Sequence, residues 1–307
     1  MRKATIGLAI MALVLVLVGC APAATPTAPP AATPTPVPPT PTPAAPARPE
    51  GVPAPGEDEV VDAIYERGTL NACQAQAMPV VGIDANTGKF FGVGPEFGKE
   101  LAQRMGVEYQ DVGAEWDTLI PNVQTGKCDI ITAGLGYGAE RAEVVDYALI
   151  PIKCGSCYIK RKDDDRFSTW EEIIDPATGI TACAITGTGA EHTWRTQYPD
   201  VDFYSMPAPG AQGLMEEVVA GRCDANNMDN WVIPYILAQY PTLGVVPEDC
   251  VDSPLETYDW GFAVLKGYPK WHEYVLNVVD ELKEAGWFHD QFGYFMSPEE
   301  MDRQFAE

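Results

Sequence analysis

The chain has 307 residues and sets 44 acidic side chains against 20 basic ones, a formal charge of −24. That balance argues against a nucleic-acid partner, which needs a basic face, and against tight binding of the body to an anionic membrane surface. The three histidines, His192, His272 and His289, are too scattered to complete a zinc site, so neither a metal nor a cofactor is expected.

The first elements concern export. Arg2 and Lys3 precede an apolar run over residues 4–18, which ends in Leu17-Val18-Gly19-Cys20. A charged start, a short apolar stretch and a small residue before the cut describe a secretory signal. The run has about 15 residues, whereas a spanning helix needs about 20. Its ending resembles the bacterial lipobox, with Val18 where Ala or Ser is commoner. That resemblance implies cleavage before Cys20 and a lipid anchor on its thiol. The expected location is therefore the outer side of the cytoplasmic membrane, or a periplasmic or outer-membrane face in a cell with two membranes. Residues 21–57 hold 14 of the 28 prolines, mixed with Ala and Thr. Such a segment buries too little apolar surface to order itself and reads as a disordered tether reaching up to about 110 Å.

The remaining 250 residues form the body. A short helix is expected over 58–67, a strand from Leu70 to Cys73, and a helix over 95–105. Another short helix follows over 116–124, then a buried strand over 129–132. Gly134-Leu-Gly136-Tyr-Gly138 leads into a helix from Ala139. The second half repeats the plan. Ser168-Thr-Trp-Glu171 reads as a capping box. A strand over 179–185 meets Thr186-Gly-Thr188-Gly189, which opens a helix through Tyr198. A helix over 212–220 precedes a strand that ends at Asp229. Strands alternating with helices predict α/β layers with a largely parallel sheet.

Seven cysteines follow Cys20, an odd number in an oxidising compartment. Gly126-Lys-Cys128-Asp129 is echoed by Gly221-Arg-Cys223-Asp224, and Cys73 has a counterpart in Cys183. These echoes suggest Cys73–Cys128 and Cys183–Cys223 disulfides; buried free thiols are the alternative. Among Cys154, Cys157 and Cys250 the choice stays open. The Cys154-Gly-Ser-Cys157 spacing lies in a strand-like run, which argues against a thioredoxin-like redox role.

The run Ile131-Thr-Ala-Gly134-Leu-Gly136-Tyr-Gly138-Ala-Glu-Arg141-Ala-Glu-Val-Val-Asp146-Tyr147 carries the most specific resemblance. Together with residues 92–96, Trp116-Asp-Thr-Leu-Ile-Pro121, Gly187-Thr188-Gly189 and residues 258–266, it resembles the family-3 extracellular solute-binding proteins of polar amino-acid ABC importers. The resemblance implies a two-lobed α/β fold of the type II periplasmic-binding-protein kind with two crossing hinge strands. Lobe one would span 58–152 plus 257–307 and lobe two 153–256.

A zwitterion needs a cation for its carboxylate and an anion for its ammonium. By resemblance Arg141, at the start of the expected helix, grips the carboxylate through paired hydrogen bonds, with Gly134 and Gly136 letting backbone come close. Asp229 would take the ammonium, and Thr188 and Gly189 would add contacts from lobe two. Trp116 would line the cleft and Gln74 would touch the ligand. On the residues alone, Arg141 could instead pair with Glu140 or Asp146, and Asp229 could be a helix N-cap.

Gly136 in place of a Thr or Ser, Ile185 in place of a Lys, and Met228 before Asp229 suggest a less polar cleft than that of glutamine or basic amino-acid binders. The resemblance implies a monomeric, non-enzymatic receptor that delivers an amino acid or similar small carboxylate to a membrane permease. Cyclohexadienyl dehydratase-like enzymes share the fold and are the rival, with Glu191 as the loose candidate acid. A sensory or auxiliary binding protein acting through a separate partner is the other.

Overall fold

The computed structural model describes residues 48–77, 80–152, 154–207 and 210–305. The export signal, Cys20 and the tether up to residue 47 lie outside the described residues. Among the described residues no helix is long and apolar enough to cross a membrane.

Residues 48–57, assigned to the tether on proline content, pack on the body instead. Val52 is buried, and the Arg48 guanidinium lies 4.5 Å from the Tyr65 ring centre and bonds Asp62 and the Pro53 carbonyl. An apolar side chain and a cation with two fixed partners outweigh the composition of the segment. Helix Glu59–Arg67 then opens on Asp58, whose carboxylate accepts from Val60 and Val61 N–H, and stops at left-handed Gly68.

In chain order the strands are β1 (Thr69–Gln74), β2 (Gly82–Ile83), β3 (Phe90–Phe91), β4 (Glu108–Gly113), β5 (Ile130–Gly136) and β6 (Val145–Leu149). They continue as β7 (Cys154–Arg161), β8 (Thr181–Ile185), β9 (Asp202–Met206), β10 (Ala225–Asp229), β11 (Leu243–Val246), β12 (Thr257–Tyr258) and β13 (Trp260–Leu265). Two main sheets result, as the two-lobed α/β reading requires. The first lobe is built on the order β4-β1-β5-β13-β6, the second on β11-β7-β10-β8-β9 with β12 on β7. Pairing is parallel among β4, β1 and β5 and among β10, β8 and β9. The strands nearest the crossovers, β7 and β13, pair antiparallel with their neighbours.

The chain passes between the sheets twice, from β6 to β7 and from β12 to β13, and the two passages run side by side. Tyr258 pairs with Cys154 and Thr257 with Gly155, while Ser156 N–H donates to the Glu256 carbonyl at 2.9 Å and Ile150 N–H to the Trp260 carbonyl at 2.9 Å. Two adjacent strands linked by hydrogen bonds thus join the lobes, the place where a hinge in this fold would bend.

The first-lobe core gathers on helix Val93–Met105. Phe97, Leu101, Ala102 and Met105 are buried, and Phe97 stacks on Phe262 of β13 with ring centres 4.1 Å apart. Burial of each such large side chain contributes about 1.5–3 kcal/mol. In the second lobe Trp194, Tyr158 and Phe167 are buried in one cluster.

Each lobe carries the disulfide suggested by the internal echo, Cys73–Cys128 in the first and Cys183–Cys223 in the second. The choice left open resolves as Cys157–Cys250, which ties β7 to the segment after β11, with Cys154 a buried free thiol.

Three local expectations change. The helix expected from Ala139 is a single 3-10 turn, Arg141–Glu143, and the chain enters β6 at Val145. β-Branched Val144 and Val145 favour the sheet, where β13 offers a full antiparallel partner. The buried strand expected over 129–132 runs on to Gly136. The capping box is set one residue later than expected, between Thr169 and Glu172.

Candidate functional site

The two lobes face each other across a cleft of about 720 Å³. Its first-lobe wall comes from the loops after β1 and β5 and from Trp116. Its second-lobe wall comes from the turn after β8 and the end of β10, and the hinge supplies Ser156 and Tyr258. Of the residues singled out in the sequence, Trp116, Gly136, Arg141, Thr188, Gly189 and Asp229 all line this one cleft.

Arg141 leaves the 3-10 turn and folds back. Its Nη1 donates to the Gly136 carbonyl at 3.1 Å and its Nη2 to the Gly187 carbonyl of the second lobe at 2.9 Å. Among the described residues it forms no ion pair with Glu140 or Asp146; Glu140 instead faces His192 across the cleft mouth at 3.5 Å. Burial pushes the Arg141 pKa down, against the upward pull of Tyr147, Tyr258 and Asp229. Tyr147, its own pKa pushed up to about 12 chiefly by burial, donates to the same Gly136 carbonyl at 3.2 Å.

Asp229 ends β10 and makes no side-chain cap to the following turn. Its Oδ1 accepts from the Tyr258 hydroxyl instead. Its carboxyl pKa is raised, because burial outweighs the downward pull of the Tyr258 hydrogen bond and the Arg141 charge. A guanidinium and a carboxylate therefore share a partly desolvated cleft, where their fields act with less screening than in water.

Thr188 caps helix Gly189–Gln197. Its Oγ1 accepts from Glu191 N–H at 3.3 Å and donates to the Ile185 carbonyl at 2.7 Å. The first N–H groups of a helix lack intrahelical partners, so Gly189 and Ala190 present donors to the cleft. Gly187, at φ +82°, lies so close to the first lobe that a Cβ there would sit 2.3 Å from the Asp117 nitrogen.

Two expected residues lie elsewhere. Gln74 is fully buried in β1, where Nε2 donates to Thr132 Oγ1 at 2.6 Å and to the Tyr109 hydroxyl at 3.1 Å. Strand alternation turns it into the layer beneath the cleft, and Gln76 is the glutamine that reaches the cleft. Gly134, at φ +78°, is not a cleft residue. The Trp260 ring lies on it, and a Cβ would fall 1.8 Å from that ring.

Sequence reasoning missed Ser156, Trp231, Tyr258 and Trp260. Trp231 and Trp260 meet edge to face with ring centres 5.4 Å apart, one following β10 and the other opening β13. Tyr258 and Trp260 fall inside a segment that carried the resemblance, so its start was a usable signal. Ile185, Leu214 and Met228 give the second-lobe wall an apolar floor, as the departures at 185 and 228 suggested.

The family model of bacterial extracellular solute-binding proteins, family 3, matches residues 70–294. The chain belongs to that family. Like the family-3 fold it resembles, it superposes on solved amino-acid-binding structures. A variant of ArgBP from T. maritima is 27% identical with a TM-score of 0.68, covering 77% of this chain and 98% of that one. The ancestral amino acid-binding protein AncCDT-1, a precursor of cyclohexadienyl dehydratase, is 28% identical with a TM-score of 0.67, covering 77% and 99%. The L-cysteine solute receptor of Neisseria gonorrhoeae shares the fold at 22% identity and a TM-score of 0.69, covering 80% and 98%.

Proposed function

We propose that this family-3 protein is the substrate-binding component of an ABC importer. It captures an amino acid or similar small zwitterion between lobe one (58–152 plus 257–307) and lobe two (153–256). The observation that carries this reading is the pair of opposite charges, Arg141 and Asp229, lining one cleft. A guanidinium matches a carboxylate with two parallel hydrogen bonds, and a carboxylate matches an ammonium. The reported binding of amino acids by ArgBP and AncCDT-1 relatives supports the same class of ligand.

Binding would bring the lobes together around the hinge, exclude water from the charges and offer a joint surface to a membrane permease. A lipid on Cys20 and the following tether would hold the receptor near that permease, on the outer side of the membrane. The working unit would be a monomer.

The dehydratase-like alternative needs a protonated cleft acid. Burial pushes the Glu191 pKa up, but the Gly187 N–H at 2.6 Å and the Ser205 and Arg195 side chains outweigh it and hold the carboxyl below its ordinary value. A carboxylate tied in this way is poorly suited to donate a proton, which counts against Glu191 in that role.

Calorimetric titration of the purified body with the standard L-amino acids tests the reading. At least one is expected to bind with a single site per chain. A flat response to every one of them would refute it.

A further inference from the structure

We propose that Tyr258 is a positioning residue for ligand capture, orienting Asp229 and favouring its charged form for the ligand ammonium; this rests on the amino-acid reading of the cleft. Tyr258 lies in β12, on the returning hinge strand, and pairs with Cys154 of the outgoing one. From there its side chain touches both walls. The hydroxyl donates to Asp229 Oδ1 of the second lobe. The ring lies against Gly136 of the first lobe, where a Cβ would come within 3.3 Å of Cε2. Gly136 itself anchors Arg141 through its carbonyl. One side chain on the hinge thus links the groups assigned to the two ends of a zwitterion.

The choice of a tyrosine has a physical reason. A buried carboxylate without a donor is costly and tends to take up a proton. A Lys or Arg at 258 would keep it ionised but would also neutralise it and compete with the ligand ammonium. A hydroxyl stabilises the charged form and leaves the charge available. Among the described residues, hydrogen bonds to the Asp229 carboxylate use Oδ1 alone, so Oδ2 is left to the ligand.

Among the described residues, the ionisable groups facing Asp229 are Tyr258 from the hinge strand, Arg141 from the first lobe and Cys154 from β7. Cys154 is neutral in this setting, because burial and then the Asp229 charge push its thiol well up. Protonation of Asp229 would remove the ammonium partner, so capture should fail on the acid side. The pH at which it fails is set by how well Tyr258 and Arg141 hold the charge.

The test is calorimetry with the twenty standard L-amino acids on wild type, Tyr258→Phe, Asp229→Asn and the double variant, across about pH 4 to 8. For the tightest amino acid, Tyr258→Phe should weaken binding about tenfold near neutral pH. Its acid loss of binding should begin at a higher pH than in wild type. In the Asp229→Asn background the same change should alter affinity by less than about twofold, since Tyr258 acts through Asp229. Equal losses in both backgrounds would mean a merely structural tyrosine and overturn the proposal. So would an unmoved pH edge in Tyr258→Phe. Should Tyr258→Phe fail to fold, Asp229→Asn alone decides: the acid edge must disappear, and its persistence overturns the proposal. If no amino acid binds wild type, the amino-acid reading itself falls, and this inference falls with it.

Discussion

Arg141 of the first lobe donates to the backbone carbonyl of Gly187 in the second, at 2.9 Å. The residue assigned to the ligand carboxylate is therefore also a contact between the lobes. Ligand grip and closure share one side chain, so a change at either residue should affect both.

Replacing Arg141 by Ala should cost about 2–5 kcal/mol of binding, the range for truncating one member of a buried charged pair. Arg141→Lys should restore part of it. A lysine supplies the charge but not two parallel hydrogen bonds or the span from Gly136 to Gly187. Calorimetric affinities for the best amino acid check both. An unchanged affinity in Arg141→Ala would remove Arg141 from the carboxylate site.

Gly187→Ala should hinder closure. The added Cβ would lie 2.3 Å from the Asp117 nitrogen, and φ is +82°. Left-handed strain in a non-glycine residue costs about 1–3 kcal/mol, and the clash is with the other lobe as close as it lies here, so closer approach would worsen it. The expected result is weaker binding, with a larger radius of gyration than wild type at saturating ligand by small-angle scattering. A variant that closes and binds like wild type would show that the Gly187–Asp117 contact is dispensable.

Acid stability should be partly controlled by Asp164, which does not line the cleft. Its buried carboxylate accepts from Arg166 at 2.6 and 2.9 Å and from Arg161 at 3.2 Å. The Arg166 hydrogen bonds hold its pKa below the usual carboxylate value, against the upward push of burial. A depressed folded pKa gives stability that is complete above the unfolded value of about 3.9 and is lost as pH falls through the folded value. Asp164→Asn should thus cost about 1–3 kcal/mol at neutral pH. The difference from wild type should shrink progressively below about pH 4 in urea melts.

Removing the Cys73–Cys128 bridge by a double Ser substitution should lower stability by about 2–4 kcal/mol, read from the urea midpoint. In a chain that begins after Cys20, thiol titration without reductant should detect a single cysteine, and only after unfolding. That thiol is Cys154, buried beside the hinge. A native chain that reacts at once would contradict its burial.

Much of this was legible in residue order. The alternation of strands and helices carried the two-lobed α/β class, and the paired Gly-x-Cys-Asp echoes carried two disulfides. That Arg141, Thr188 and Asp229 would share one cleft was readable, because the ends of strands in α/β layers open onto a common crevice. The helix expected from Ala139 was not there, because the chain from Val145 joined β6 alongside a strand, β13, that is over a hundred residues away in sequence. Gln74 was misplaced because the face on which a strand residue points depends on where the strand ends, and β1 ends at that residue. Gly134 looked like a ligand-approach glycine, yet its missing Cβ makes room for Trp260, a partner that only the fold brings near. Tyr258 was overlooked although it opens a segment that carried the resemblance, because that match marks the segment and not which of its side chains turns into the cleft.

Trp231 and Trp260 meet at 5.4 Å although one follows β10 in the second lobe and the other opens β13 in the first. Indole emission responds to neighbouring rings and to water. Hinge motion that parts these two rings would change both at once. Stopped-flow fluorescence, compared with Trp231→Phe to separate this pair from the other tryptophans, should therefore time opening and closing without an added dye.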